Sequence, residues 1–432
     1  MIPAGGILTI IRGAFMRRSI LTALLATAAI AGAAGQADAQ MKPIAVGDGI
    51  ALKPLFDARL REEHVDQTGI ANKADAITAR IRSGIELSTT SGFSVLAESE
   101  ATLAISERYN SGTNLKTAFP VVADPQNIEL NRLQVAYATK HVAITVGRQR
   151  INLDDQRFVG SVGWRDNEQT FDAVRLEAKQ IGPFVADAIY TWSTRTIYGI
   201  EAQDLPPFAA NKQAIDGNSY LGSLGTKVGP LTVKGFGYLI DQDELGRRQF
   251  SSQTYGVRAV AVIPIGARVK LNLTGSFARQ SDYASNPGNY SADYYLAEGG
   301  TTIAGFGLTG GYEVLGASTG AANTSFQTPL ATLHKFNGTA DKFLVTPANG
   351  LRDLYATVGH KFGGTAIPGL NAGVTYHRFR SDRADIAYGD EWDAQVAFKI
   401  RKVAALVKYA SYSANRYATD TKKLWLELDF GL

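Results

Sequence analysis

Five arginines and five carboxylates lie within the thirty residues 147–176, GRQRINLDDQRFVGSVGWRDNEQTFDAVRL. The arginines are Arg148, Arg150, Arg157, Arg165 and Arg175, and the carboxylates are Asp154, Asp155, Asp166, Glu168 and Asp172. Guanidinium groups are planar, permanently charged and suited to bidentate contact with carboxylates. The stretch therefore predicts either a path for a passing anion or a loop made rigid by internal ion pairs.

Catalytic and metal-binding patterns find little support in the rest of the chain. Cysteine is absent, the five histidines are scattered, and neither G-x-S-x-G nor H-E-x-x-H occurs. We therefore predict no enzyme, no cofactor and no metal site, although a His, a Ser and an acid from separate strands remain an alternative. Lys and Arg exceed Asp and Glu by only four, without the clustered basic surface of a nucleic-acid-binding protein.

The segments that must position these charges alternate apolar and polar residues. In EWDAQVAFKI, Trp392, Val396 and Phe398 share one parity, and Asp393 and Gln395 share the other. A period of two predicts strands with one apolar and one polar face. Eighteen such segments occur, within residues 53–63, 76–87, 92–104, 128–140, 142–147, 169–179, 183–196, 218–228, 231–241, 253–263, 267–280, 289–298, 301–314, 352–362, 368–380, 391–400, 404–413 and 423–432.

The N-terminal region has the features of an export signal. Arg17 and Arg18 follow Met16, an apolar run extends from Ile20 to about Gly32, and the A-x-A sequence at residues 37–39 fits a cleavage site. The apolar run is too short to span a bilayer. We therefore predict a signal peptide in residues 1–39, with the start at Met16, and a mature domain of residues 40–432.

Alternating strands are compatible with a soluble sandwich or with a membrane barrel. The predicted export signal, segments of about ten residues and aromatic residues near segment ends, such as Tyr190 and Trp392, favour the barrel. The expected fold is all-β, a transmembrane antiparallel β-barrel of about 18 strands in the bacterial outer membrane. The apolar faces meet outer-membrane lipid, and the barrel-assembly machinery is an expected partner that reads the last strand, which ends Phe430-Gly431-Leu432.

Two long blocks resemble the alginate-export family of outer-membrane porins. The first is the arginine-rich stretch of residues 147–176, and the second is FQTPLATLHKFNGTADKFLVTPANGLRDLY, residues 326–355. The resemblance extends from about Leu52 to the end of the chain and implies an 18-stranded barrel with a positively charged constriction. One departure is Gly338-Thr339, which stands where an aromatic residue is expected and predicts looser local packing.

Arginine on a lipid face is unfavourable by about 2 to 4 kcal/mol near mid-depth, so the arginines are expected in the lumen, at a rim or in a loop. Parity directs Arg175 inward, and residues 151–167 form a connection long enough to fold into the lumen. Ion pairing within the stretch is an equally weighted interpretation for Arg157 and Arg165. Further pore-lining candidates are Arg80, Arg82, Lys335 and Arg352.

These patterns predict a passive channel whose arginines steer an anionic solute, with an anionic polysaccharide such as alginate as the first candidate. A general or small-anion porin is the alternative, and a barrel enzyme or adhesin is the alternative from another class. Polysaccharide export would also require export partners in the periplasm. For the block around Lys335, a lid that contacts solute competes with a loop packed on the barrel mouth through Phe336 and Phe343.

Overall fold

The computed structural model describes residues 42–266, 269–320 and 324–431. The predicted signal peptide and Leu432 lie outside these residues. Nineteen strands form one sheet within the described ranges. They are β1 Ile44–Gly47, β2 Ile50–Gln67, β3 Ala74–Thr89, β4 Phe93–Arg108, β5 Asn127–Ala138, β6 Val142–Gln149, β7 Thr170–Ile181, β8 Phe184–Arg195, β9 Ala214–Val228, β10 Leu231–Ile240, β11 Ser252–Ile265, β12 Val269–Asp282, β13 Ser291–Ile303, β14 Phe306–Leu315, β15 Leu351–Lys361, β16 Asn371–Arg380, β17 Ala387–Ile400, β18 Val403–Ala414 and β19 Thr421–Gly431.

The sheet closes on itself as a barrel. Each strand from β2 onward pairs antiparallel with the next, and β19 pairs with β2 from Thr421↔Gln67 to Gly431↔Asp57. The short strand β1 only extends the hairpin that begins β2. The barrel therefore has 18 strands, which confirms the predicted fold and strand number. The described part of the chain also contains three short 3-10 helices, Ile200–Asp204, Arg248–Phe250 and Leu333–Lys335. None of the helices in the described ranges has the length and apolar character needed to cross a membrane.

The two faces of the wall differ as the alternation predicts. On β19, Leu424, Leu426 and Leu428 are exposed on the outer face, whereas Trp425 and Glu427 are buried on the inner face. Exposed apolar side chains occur on outer faces around the barrel, from Leu103 on β4 to Val358 on β15. An apolar outer surface of this extent is unfavourable in water but favourable in a bilayer. Closure of the barrel also pairs the first and last strands, which a bilayer requires because it offers no hydrogen bonds to a free strand edge.

Connections differ in length at the two ends of the barrel. Two-residue turns such as Gly229-Pro230, where Gly229 takes a φ of 58°, join strands at one end. Long connections lie at the other end, among them residues 109–126, 150–169 and 316–350. In outer-membrane barrels the short turns face the periplasm and the long loops face outward. The start of β2 and the end of β19 pair at the short-turn end.

Candidate functional site: two loops folded into the lumen

Two of the long connections fold into the barrel. We call residues 150–169 the first inner loop and residues 316–350 the second inner loop. They meet at a parallel bridge between Val159 and Leu330, where the Gly160 amide donates to the Leu330 carbonyl at 2.9 Å. Lumen-facing side chains contact them from β2, β3, β4, β10, β12, β14, β15, β17, β18 and β19.

The first inner loop carries its own apolar anchor. Phe158 packs against Phe236 and Tyr238 of β10 and Tyr294 of β13, with ring centroids 5.0, 6.0 and 5.3 Å away. Phe326 of the second inner loop lies 6.1 Å from the same ring. The main buried apolar cluster therefore lies inside the barrel, between the loops and the inner wall.

A second anchor joins the two loops to the wall formed by β18, β19 and β2. The ring of His334 stacks on Trp164 at 4.3 Å with an interplanar angle of 8°, and Trp425 lies edge-on to Trp164 at 5.8 Å. The Arg61 guanidinium lies 4.3 Å from the Trp164 ring centre, and the Lys408 ammonium lies 4.4 Å from it. Cation–π contacts of this kind strengthen when water is excluded.

His334 is neutral in this setting. Its Nδ1 lies 2.7 Å from Asp341, and its Nε2 lies 2.9 Å from the Lys408 ammonium, which must donate to it. Burial lowers the pKa of the His334 imidazole to about 3; the Asp341 carboxylate opposes the shift and the Lys408 ammonium adds to it. His334 thus links a carboxylate to a cation without carrying charge itself.

Arg157 and Arg165 lie at the centre of this packing and are buried. Arg157 donates to Glu313 at 2.7 Å and to Asn337 at 3.0 Å. Arg165 donates to Glu63 at 3.1 Å, and its other two acceptors are Asp124 at 3.2 Å and Asp341 at 2.9 Å. The ion-pairing interpretation therefore describes how these two arginines are held.

The predicted arginines of β3 belong to the same buried network. Arg82 donates to Glu100 at 2.5 Å and to Glu168 of the first inner loop at 2.9 Å. Arg80 is fully buried beside Asp57. Together with two arginines that the sequence did not single out, these form what we call the sealed set: Arg59, Arg61, Arg80, Arg82, Arg157 and Arg165.

Other lumen-facing cations keep part of their surface open. Arg150 pairs with Glu168 and retains 25% of its side-chain exposure, and Arg175 pairs with Asp187 and retains 17%. Lys234 pairs with Asp154, and Arg258 pairs with Asp155, with 21% and 13% of their side chains exposed. Lys335 donates to the Asp155 backbone carbonyl at 2.8 Å. We call these five cations the open set.

Sequence reasoning missed Lys234 and Arg258. The segment containing Lys234 is apolar on both faces, so its parity gave no direction. Arg258 shares its parity with Gly256 and Thr254, opposite Tyr255 and Val257, and that alternation could have identified it as inward-facing. Their partners, Asp154 for Lys234 and Asp155 for Arg258, come from a loop whose path no periodicity encodes.

Arg148 and Arg352 lie on the outer face rather than in the lumen. Arg148 is the register partner of Leu133 and shares its side of the sheet with Val146, which is exposed. It donates to Asp172 at 2.8 Å and to the Leu130 carbonyl at 3.0 Å, because β6 ends there and leaves this stretch of β5 without a strand neighbour.

Arg352 follows the same logic on β15. Its neighbours Leu351 and Asp353 are buried on the inner face, so the intervening side chain points outward. The pore-lining prediction is therefore wrong for these two, whereas the expected alternative of a rim position describes Arg352, the second residue of β15. Each one compensates with a nearby carboxylate, Asp172 for Arg148 and Asp382 for Arg352.

The second inner loop packs closely, both through its aromatic residues and at Gly338, where looser packing was predicted. Phe343 lies 4.4 Å from Phe379 and 5.2 Å from Tyr417. Gly338 has a φ of 81°, and a Cβ there would collide with the Glu391 carboxylate, which accepts a hydrogen bond from the Ala340 amide at 2.7 Å. The departure at Gly338 therefore permits close packing, contrary to the predicted looseness.

No group of three or more side chains with metal-ligand chemistry occurs among the residues that the structure describes. Residues 61–192 match the family model described as alginate export. No curated protein matches the chain. The barrel is similar to OpdO of Pseudomonas aeruginosa, with a TM-score of 0.64 and 13% identity over 88% of this chain and 97% of that one. It is also similar to OccAB4 of Acinetobacter baumannii, with a TM-score of 0.69 and 11% identity over 88% and 98%.

A BenF-like porin of Pseudomonas fluorescens gives a TM-score of 0.67 and 13% identity over 88% of this chain and 99% of that one. At these identities the solved structures support the porin fold. The predicted resemblance to alginate-export porins is confirmed over residues 61–192, which contain the first block, and the chain folds as an 18-stranded, porin-like barrel of the bacterial outer membrane. The second block, residues 326–355, lies outside the matched segment.

Proposed function

We propose that the channel passes an anionic solute along the open set of Arg150, Arg175, Lys234, Arg258 and Lys335. The observation that carries the proposal is that these cations are partly exposed inside the lumen, whereas the arginines of the sealed set are buried among carboxylates. Low-dielectric walls focus the field of such groups on a passing ion. Cationic linings favour anions, and weak sites in series allow release.

Lys335 supplies the positive surplus of this path. The contacts of Arg175, Lys234 and Arg258 are each with a carboxylate, whereas the Lys335 ammonium donates to a backbone carbonyl. It therefore adds a charge that no directly bonded carboxylate cancels. Burial lowers its pKa from the ordinary lysine value, and Asp155 opposes that shift.

The cargo is either an anionic polysaccharide such as alginate or a small anion. The matched family supports the first. The inner loops support a small or linear solute, because their contacts with most sides of the wall narrow the lumen. Similarity to a structure of OpdK from Pseudomonas aeruginosa with vanillate, a small carboxylate, also supports a small anion.

Planar-bilayer recordings in a salt gradient test the proposal. The wild-type reversal potential should report anion preference, and the double variant Lys335→Glu with Arg258→Glu should shift it toward cations. The matched control is Arg108→Glu, since Arg108 is exposed on the outer face of β4. Cation preference of the wild type, or an equal shift in the control, would contradict an anion path through the open set.

Current block separates the two cargoes. A linear uronate oligosaccharide should interrupt the ion current in a length-dependent manner if the solute is a polysaccharide. If the solute is a small carboxylate, oligosaccharides should leave the current unchanged, and a gradient of benzoate should itself give a reversal potential of anionic sign.

A further inference from the structure

Four arginines form a tier on the outer face of the barrel, at the end that bears the long loops. They are Arg279 on β12, Arg352 on β15, and Arg378 and Arg380 on β16. Register places them outward: Arg378 is opposite Leu354, which is 53% exposed, and Arg380 is opposite Arg352.

An aromatic belt lies directly beneath the tier, toward the short-turn end. Two residues below Arg279 is Phe277, which packs on Tyr295 at 5.3 Å. Two residues below Arg378 is Tyr376, which packs on Trp392 at 4.8 Å. Aromatic girdles of this kind mark the boundary between hydrocarbon and head groups. The tier therefore lies at the depth of the outer-leaflet head groups.

The charges of the tier are only partly matched by the protein. Arg352 and Arg380 are direct cross-strand partners, an unfavourable arrangement for like charges. Asp385 accepts from Arg380 at 2.6 Å. Arg352 donates to the Asp382 backbone carbonyl at 2.6 Å, but it approaches the Asp382 and Asp385 carboxylates only to 3.5 Å, and its Nε has no hydrogen-bond partner.

The other two arginines are freer still. Arg378 donates no hydrogen bond within the described ranges, and Asp390 opposite it accepts instead from the Tyr376 hydroxyl at 2.6 Å. Arg279 is 64% exposed along its side chain, and Asp293 comes no closer than 3.8 Å. Guanidinium donors are thus available at the head-group level.

We propose that this tier binds the phosphate groups of lipopolysaccharide in the outer leaflet. Guanidinium forks match phosphate oxygens in bidentate geometry. The acyl chains of the same lipid would lie against the exposed apolar surface beneath, including Tyr312 and Leu354. The site concerns the outer surface and is independent of what passes through the lumen.

Binding of purified lipopolysaccharide to the protein in nanodiscs of phosphatidylethanolamine tests the proposal. Replacing Arg352, Arg378 and Arg380 together by Gln should weaken binding by about tenfold or more, since charge-assisted contacts are lost. Lipid A from which the phosphates have been removed should bind the wild type as weakly as intact lipopolysaccharide binds the triple variant. The triple Lys variant should retain part of the affinity, because charge remains and the fork is lost.

Arg108→Gln on β4 is the matched control, since it removes an exposed outer-face arginine elsewhere on the same rim. Each variant is first shown to be folded by its heat-dependent shift in gel mobility. Equal binding by the wild type and the triple Gln variant would overturn the proposal. Equal binding of phosphorylated and dephosphorylated lipid, or binding that EDTA abolishes in both proteins alike, would do so too.

Discussion

The sealed set and the open set have the same charges in the same lumen but differ in what surrounds them. Around Arg165, three carboxylates from β2, residues 109–126 and the second inner loop converge within 3.2 Å. Around Arg175, the carboxylates of Asp187 and Glu177 come from the wall itself, and both retain exposure to the lumen. At Arg165, where carboxylates from three separate parts of the chain converge, the arginine is a structural cross-link. At Arg175, whose carboxylate partners are themselves partly exposed, the arginine stays accessible to solute.

The largest effect should follow removal of Arg165. Arg165→Met removes the cation that Glu63, Asp124 and Asp341 share, and breaking a buried ion pair costs about 3 to 5 kcal/mol. Denaturant unfolding in lipid vesicles should show a loss of this size in the free energy of unfolding. An unchanged midpoint would show that the sealed set is not a cross-link.

A smaller effect should appear as a pH dependence at His334, which lies outside the membrane-spanning strands. The folded-state pKa is lowered by burial to about 3, below the ordinary 6.5. Above pH 6.5 neither state binds the proton; below it the unfolded state does and the folded state does not. The free energy of unfolding should therefore fall by up to about 1.4 kcal/mol per pH unit between pH 6 and pH 4.

Comparison with His334→Gln isolates this contribution, because carboxylates common to both proteins cancel in the difference. The stability gap between wild type and variant should narrow as the pH falls from 7 to 4. A gap that stays constant would mean that His334 titrates normally and is not enclosed by Trp164 and Asp341.

In the open set, a substitution should change ion selectivity more than it changes the free energy of unfolding. Arg175→Gln should cost less than about 1 kcal/mol, the usual contribution of a partly exposed pair. It should nevertheless reduce anion preference in bilayer recordings, which Arg165→Met is not expected to do through its own charge. A stability loss as large as that of Arg165→Met would remove the distinction between the two sets.

The sequence could predict the wall but only part of the lumen. Alternation is a local property, so strand number and the inward direction of Arg175 followed from the residues themselves. The partners of Arg157 lie 156 positions away at Glu313 and 180 positions away at Asn337, and no local pattern encodes such meetings. The split into sealed and open cations depends on loop paths, which is why the sequence could not assign it.

Arg148 and Arg150 give the most closely matched comparison, because they are two positions apart in the sequence but lie on opposite sides of the barrel wall. Arg150 faces the lumen beside Glu168, whereas Arg148 pairs with Asp172 on the outer face. The double variant Arg148→Gln with Asp172→Asn removes a matched charge pair from the outer face, so the reversal potential should not change. Arg150→Gln should shift the reversal potential toward cations. The reverse outcome would mean that Arg148 faces the lumen and Arg150 faces outward.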